Sequence, residues 1–209
     1  MRVRYAIQVE LWSLLSSRGL WILSLLVGPL VGYSFVQATS LYGEASKPAV
    51  VTPQLAVGLN PFDGVIIPTY GAIYLALTLL FPFVAIRVIS SDKFSGALRL
   101  LLQTPLRHST LLAAKTMVAI IAWLVVELPG LLTLWHWRVS GGHIFVQETI
   151  CLLTGHFLYG LIVTSISFFA AAIAESASTA ALLVLACTLL SLRDADSQES
   201  PLAPATARA

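Results

Sequence analysis

Long runs without charged side chains alternate with short charged segments along the chain. A helix needs about 20 apolar residues to cross a hydrocarbon core of roughly 30 Å. Runs that approach this length predict five membrane-spanning helices, near residues 19–38, 66–88, 112–135, 149–174 and 176–192. The fifth run is at the lower length limit for a span. We therefore predict an all-α fold, a polytopic transmembrane helical bundle that occupies residues 1–192.

Three segments outside these runs have patterns of their own. Residues 3–17 combine charged residues with apolar residues at helical spacing and are predicted to form an interfacial elbow helix before the first span. Residues 41–63 contain three prolines and two glycines, a density of helix breakers that predicts a loop outside the bilayer. Residues 193–209 have no apolar periodicity and are predicted to be a disordered tail.

The composition excludes several classes of protein. Hydrophobic residues make up 57% of the chain and charged residues only 11%, whereas soluble domains average about 25% charged residues. A net charge of +2 is too small to predict nucleic acid as a partner. The sequence has no G-x-x-x-x-G-K-[ST], H-E-x-x-H or G-x-S-x-G motif, so we expect a membrane protein that is not an enzyme and holds no cofactor or metal.

Lysine and arginine residues are distributed unevenly among the segments between spans. Residues 1–18 carry three and residues 87–115 carry five, whereas residues 38–63 and 135–148 carry one each. Cytoplasmic loops retain such residues, so the N-terminus and residues 87–115 are predicted to face the cytoplasm. We expect a multi-pass protein of a bacterial-type plasma membrane.

A short amphipathic segment follows the second span. Its apolar residues recur at i, i+3, i+4, i+7 and i+8, which is the spacing of one helical face. These residues are Phe94, Ala97, Leu98, Leu101 and Leu102. The dipeptide Thr104-Pro105 ends the pattern, because the residue before a proline is disfavoured in the α conformation. Residues 92–104 are therefore predicted to form a cytoplasmic coupling helix on which a soluble partner docks.

Several short motifs occur in a characteristic order. Glu10 stands in a Val-Glu-Leu-Trp segment of the predicted elbow helix. The stretch after the second span contains, in order, Asp92, Gly96-Ala97-Leu98-Arg99, Leu101-Leu102, Thr104-Pro105 and Lys115. Small residues then dominate FFAAAIAESASTA, Phe168–Ala180. From about Tyr5 to Leu190, this order resembles the permease subunits of ABC-2 type transporters, the integral-membrane half of ATP-binding-cassette exporters.

The resemblance implies a function as well as departures from the family pattern. It implies a permease that forms a translocation pathway with a second copy or a paralogue, while a separate ATPase subunit holds ATP and Mg. The residues it assigns to ATPase coupling are Asp92, Phe94, Gly96, Leu98, Leu101, Leu102, Thr104 and Pro105. Ala97 and Arg99 stand where the family usually has Thr and Glu, and the sequence becomes polar where a sixth span is usual. A non-transporting membrane scaffold, accessory subunit or truncated inactive permease is therefore the alternative.

Two polar residues interrupt the apolar spans. Glu127 lies about 18 Å past Lys115 and about 12 Å before Trp135 along a helix, and His156 lies in the fourth span. A carboxylate at such a depth costs a few kcal/mol, so it must be protonated, paired or exposed to a cavity. Glu127 is therefore either a residue that lines the pathway or an interhelix contact, and His156 is more typical of a hydrogen-bonded packing residue than of a ligand.

Overall fold

The computed structural model describes residues 2–52, 54, 58–103 and 108–199. These residues form α1 (Arg2–Leu15), α2 (Arg18–Val51), a π-helical turn (Phe62–Ile66), α3 (Ile67–Leu79), α4 (Phe81–Ser95), α5 (Ala97–Gln103), α6 (His108–Val139), α7 (Val146–Ile173) and α8 (Ala177–Glu199). No strand occurs within these ranges. The prediction of an all-α fold is confirmed.

Four helical stretches are long and apolar enough to cross a membrane. They are Arg18–Val50, Phe62–Ser95, Ser109–Val139 and Val146–Ile173, and Ala177–Leu190 is a shorter apolar helix. The polytopic bundle is thereby confirmed, and the fifth span stays a prediction.

The second span is divided into α3 and α4. The division falls at Leu80, because Pro82 has no N–H to donate to the carbonyl of residue 78.

The first span is longer than the sequence pattern predicts. α2 continues through Pro48 to Val51, so residues 41–51 are helical and the prediction of a loop over all of residues 41–63 is wrong. A helical proline leaves the carbonyl four residues earlier without its donor. Here that carbonyl belongs to Glu44, and both Glu44 and Pro48 are exposed, where water can satisfy it.

The predicted coupling helix is two helices rather than one. α4 ends at Ser95, Gly96 has a φ of 77° in the left-handed region, and α5 begins at Ala97. A left-handed residue breaks the α-helical hydrogen-bond pattern, and glycine adopts that conformation without steric cost. The prediction of a continuous helix over residues 92–104 is therefore wrong: Phe94 lies on α4 and Leu98 on α5.

The end of the chain also differs from the prediction. α8 extends to Glu199, so the predicted disordered tail, residues 193–209, starts inside a helix. Residues 193–199 contain neither glycine nor proline, and no breaker stops the helix that precedes them. Residues 200–209 lie outside the described residues. At the other end of the chain, α1 occupies the position predicted for the elbow helix.

The helices are joined by buried stripes of apolar side chains. On α2, Leu20, Leu23, Val27 and Val31 are buried at intervals of three or four residues, and Leu25 on another face is 74% exposed. The α2 stripe belongs to one large cluster that also includes residues of α3, α4, α6 and α7. A second cluster between α4, α7 and α8 is built mainly from alanines, which let helix backbones approach closely.

The connections make successive spans run in opposite directions. At one end of the bundle, the C-terminal end of α4 meets the N-terminal end of α6 and the C-terminal end of α7. At the other end, Phe35 of α2 packs against Val65 of the π-helical turn and Trp137 of α6. Lys93 and Lys115 thus lie at the first end, and Arg138 lies at the opposite end.

Candidate functional site

A buried lysine connects three helices at the first end of the bundle. Lys115 Nζ on α6 donates hydrogen bonds to Glu10 Oε1 at 3.0 Å, to Asp92 Oδ2 at 2.5 Å and to the Val88 carbonyl oxygen at 2.8 Å. We call Glu10, Asp92 and Lys115 the Lys115 cluster. It joins α1, α4 and α6 through residues that are up to 105 positions apart in the sequence.

The local structure explains how Glu10 reaches this lysine. The chain turns sharply at Ser16 and Ser17, and the Ser17 side chain caps α2 by accepting a hydrogen bond from the Leu20 N–H at 3.4 Å. This turn lets α1 fold back and pack along α6. Glu10 then lies beside the first part of α6, where Lys115 is located.

Burial makes the Lys115 cluster a strong connection. The Lys115 side chain is 6% exposed, whereas the side chains of Glu10 and Asp92 are 23% and 21% exposed. A buried cation requires compensating charge and acceptors, and Lys115 has two carboxylates and a carbonyl. The motifs in the sequence singled out these three residues, but they did not show that the three side chains are in contact.

The residue after Asp92 connects α4 to a fourth helix. Lys93 Nζ donates to the carbonyl oxygens of Ala171, Ala172 and Ala174 at 3.2, 2.9 and 2.7 Å. These carbonyls belong to the C-terminal end of α7, where a helix has acceptors without intrahelical partners and a negative dipole end. Lys93 therefore caps α7 from a neighbouring helix.

Sequence reasoning missed this capping contact, although a signal for it exists. The residue at the C-terminal cap of α7 is Ala174 in an extended conformation, not a left-handed glycine. A helix that ends without a glycine cap needs other donors for its last carbonyls. A basic residue near the small-residue segment Phe168–Ala180 was thus a candidate donor, but only the fold identifies it as Lys93.

Asp92 and Lys93 together fix the end of α4 to the rest of the bundle. Asp92 binds Lys115 of α6, which also binds Glu10 of α1, and Lys93 binds the C-terminal carbonyls of α7. Gly96 follows within one helical turn and begins the change of direction into α5. Displacement of α5 would therefore reach α4 at the point where α4 is bound to α6 and α7, and through Lys115 to α1.

The predicted coupling residues divide into two groups. The Asp92 carboxylate accepts a hydrogen bond from Lys115, and Gly96 forms the break between α4 and α5. Both residues therefore determine the structure of the segment and do not offer a free side chain to a partner. Phe94 is 53% exposed, and Leu100 on α5, which was not among the predicted coupling residues, is 68% exposed. Leu98 is half-buried.

The structure describes the remaining predicted coupling residues only in part. The backbone of Leu101 and Leu102 belongs to α5. Thr104 and Pro105 lie outside the described residues.

The two intramembrane polar residues are brought together. Glu127 is 1% exposed on α6, and its Oε1 lies 3.9 Å from Nδ1 of His156 on α7. The edge of the Tyr70 ring on α3 meets the His156 ring at a centroid distance of 5.1 Å. Among the described residues, no group donates a hydrogen bond to either Glu127 oxygen. This geometry is that of an interhelix contact inside one bundle.

Nearby aromatic and small residues close the packing between α6 and α7. Trp123 of α6 is 6% exposed, and a Cβ built on Gly160 of α7 would lie only 2.5 Å from its indole ring. In the part of the chain that the structure describes, no group of three His, Cys, Asp or Glu side chains is placed to hold a metal ion.

The fold and the connected helix ends define a class of protein: a multi-pass membrane bundle with an elbow helix and a charged junction at one end. The family model for the ABC-2 family transporter protein matches residues 7–192. The chain therefore belongs to the ABC-2 transporter family, and it is a membrane transport component that is not itself catalytic. The chain matches no curated protein and no solved structure.

Proposed function

We propose that this permease forms a translocation pathway with a second copy or a related permease, and that a separate ABC ATPase drives the transport. Members of the family typically pair with such an ATPase. ATP and Mg²⁺ bind to that partner in this proposal, because the sequence has no phosphate-binding P-loop motif. The first end of the bundle, where the C-terminal end of α4 meets the N-terminal end of α6, faces the cytoplasm in this proposal, because residues 1–18 and 87–115 carry most of the lysine and arginine of the sequence.

The observation that carries the proposal is the pair of opposite connections made by Asp92 and Lys93. A transporter needs a mechanical connection from its ATPase to the helices that surround the pathway. The end of α4 contacts α6 through Asp92 and α7 through Lys93, and the Lys115 that binds Asp92 also binds Glu10 of α1. A movement imposed beyond Gly96 is thereby passed to several spans at once.

The surface on which the ATPase docks includes two exposed apolar side chains. Phe94 and Leu100 lie on either side of Gly96 and are more than half exposed. At the end of a span, next to a helix break, such residues are typical of a protein contact site. The ATPase contacts these side chains, while Asp92 and Lys93 transmit the movement.

Co-purification tests the docking surface. The permease is co-expressed with a candidate ABC ATPase, and the amount of ATPase that remains bound after extraction is measured. Leu100→Asp should lower that amount by about tenfold or more, because it places a charge in an apolar contact. Val139→Asp is the matched control, since Val139 is 66% exposed at the end of α6 on the opposite side of the bundle. Equal retention by both variants contradicts this docking surface, and a wild-type chain that binds no ABC ATPase contradicts the proposal.

ATP hydrolysis in proteoliposomes tests the transmission step separately. Asp92→Asn removes one charge from the Lys115 cluster and leaves Phe94 and Leu100 unchanged. The ATPase should still bind, but its stimulation by the permease should fall. Asp63→Asn is the control, because Asp63 is exposed at the other end of the bundle, where its carboxylate accepts a hydrogen bond from the Asn60 side chain. A complex that binds the ATPase but never alters its hydrolysis would be a membrane scaffold rather than a transporter.

Cysteine labelling in intact cells tests the orientation. Cys151 and Cys187 are first replaced by serine, and a single cysteine is then placed at Leu100 or at Lys47. Leu100 is 68% exposed, and so is the Lys47 side chain. A membrane-impermeant thiol reagent should label the cysteine at position 47 and not the one at position 100. The reverse pattern overturns the orientation.

A further inference from the structure

A narrow apolar groove runs between α2 and the junction of α3 with α4. It has a volume of about 250 Å³ and is lined on one side by Leu23 and Leu26 and on the other by Leu80 and Phe83. Its polar end is formed by Ser17 and Arg87. The groove therefore has the shape of an apolar channel along the spans with a cation at one end.

Arg87 stands where three cavities meet. Besides the groove, it lines a cavity of about 620 Å³ that includes Ser91 and Ser178, and a small cavity of about 60 Å³ that includes Glu10. Within the described part of the chain, Arg87 forms no salt bridge and no hydrogen bond. An exposed guanidinium with open space around it can accept an anionic ligand.

The nearby carboxylates do not neutralise this arginine. Glu10 and Asp92 both bind Lys115, at 3.0 and 2.5 Å. Lys115 offsets one of their two negative charges, and neither carboxylate comes within salt-bridge distance of Arg87. Among the described residues, Arg87 therefore has no carboxylate partner of its own.

The position of Arg87 along the spans is that of a membrane boundary. Gly19, at the start of α2, lies beside it: a Cβ built on Gly19 would be 3.5 Å from Arg87 Nη1. Trp21, one turn into α2, is 58% exposed and its indole donates to the Leu15 carbonyl at 2.7 Å. Amphipathic tryptophans of this kind are enriched at the level of lipid headgroups.

We propose that this corner is a binding site for an anionic phospholipid, with the phosphate on Arg87 and one acyl chain in the groove. Guanidinium groups bind phosphate oxygens in a bidentate manner, and the Ser91 hydroxyl can donate another hydrogen bond. A zwitterionic lipid would bring its own ammonium group next to the Arg87 guanidinium, and the nearest described carboxylates, Glu10 and Asp92, are already bound to Lys115. A lipid headgroup with a net negative charge is therefore the better match to the positive charge of Arg87.

Native mass spectrometry of the purified, delipidated permease tests the site. Phosphatidylglycerol and phosphatidylcholine with identical acyl chains are titrated against the wild type, a comparison that needs no variant. Phosphatidylglycerol should bind at least about tenfold more tightly, as expected for charge-assisted hydrogen bonds. Equal affinity for the two lipids overturns the proposal. Glycerol 3-phosphate should fail to displace the lipid, and displacement at comparable concentrations would show a free-phosphate site instead.

Two pairs of variants assign the site to residues. Arg87→Gln should lose the preference for phosphatidylglycerol and Arg87→Lys should keep part of it, whereas Arg18→Gln should retain it, because exposed Arg18 does not line the groove. Gly19→Leu should weaken lipid binding by filling the polar end of the groove, and Gly32→Leu, with open space around it on the same helix, should not. An unchanged lipid preference in Arg87→Gln contradicts the assignment.

Discussion

Replacing Lys115 with methionine should destabilise the bundle more than any loss of a surface ion pair. The substitution keeps the length of the apolar stem and removes the charge that Glu10 and Asp92 share. Breaking a buried ion pair on one side costs about 3–5 kcal/mol. Because both carboxylates are about one-fifth exposed and regain some hydration, we expect the lower end of that range, about 3 kcal/mol.

Lys47→Met is the matched control for this loss. Lys47 and Glu44 form an ion pair at 2.6 Å on α2, but their side chains are 68% and 69% exposed. Exposed pairs of this spacing contribute about 0.3–0.5 kcal/mol. The two lysine variants should therefore differ in unfolding free energy by more than about 2 kcal/mol.

Equilibrium unfolding in mixed detergent micelles, followed by tryptophan fluorescence, measures the difference. A double-mutant cycle with Asp92→Asn separates the pairwise interaction from the effect of each substitution alone. Lys115→Met should cost less when Asp92 is already neutral, since fewer unpaired charges are left. If Lys115→Met costs no more than Lys47→Met, the Lys115 cluster does not hold the three helices together.

Three further variants probe the packing. Gly160→Ala should destabilise the bundle by about 1–3 kcal/mol because its Cβ meets Trp123, whereas Gly155→Ala on the same helix, with open space, should not; equal thermal midpoints contradict this. Lys93→Met should lower the thermal midpoint, because three terminal carbonyls of α7 lose their hydrogen-bond donor. Amide hydrogen exchange should become faster at that end of α7, and unchanged exchange would refute the capping role of Lys93. Glu127→Met should raise the midpoint, because a carboxyl without a described donor leaves the interior; a lower midpoint would show that Glu127 makes a stabilising contact.

The spans could be predicted because their signal is local. Apolar runs between charges are a property of consecutive residues, and four of them correspond to long helices in the structure. The path of α2 through Pro48 was not predicted, because a proline stops a helix only when the freed carbonyl has no other partner. Whether Glu44 is exposed is a property of the fold.

The candidate site was predictable in its residues and not in its geometry. Glu10, Asp92 and Lys115 were all identified by the family resemblance, but the contact of Glu10 with Lys115 depends on the turn at Ser17 and on the packing of α1 along α6. Gly96 carried a local signal, since a glycine inside an apolar helical pattern often marks a helix end. The pattern of apolar residues continued across it, and that continuity led to the prediction of a single helix.

The length of α2 has a consequence for imaging this small membrane protein. With 34 residues the helix is about 50 Å long and extends well beyond a hydrocarbon core of roughly 30 Å, even at a tilt of about 20°. The Tyr42 ring lies against Gly64, so the extension is braced where it leaves the bundle. A rigid domain inserted between α2 and the π-helical turn, with its first helix continuing the register of α2 after Val51, would inherit a fixed orientation and provide the external mass that single-particle alignment requires.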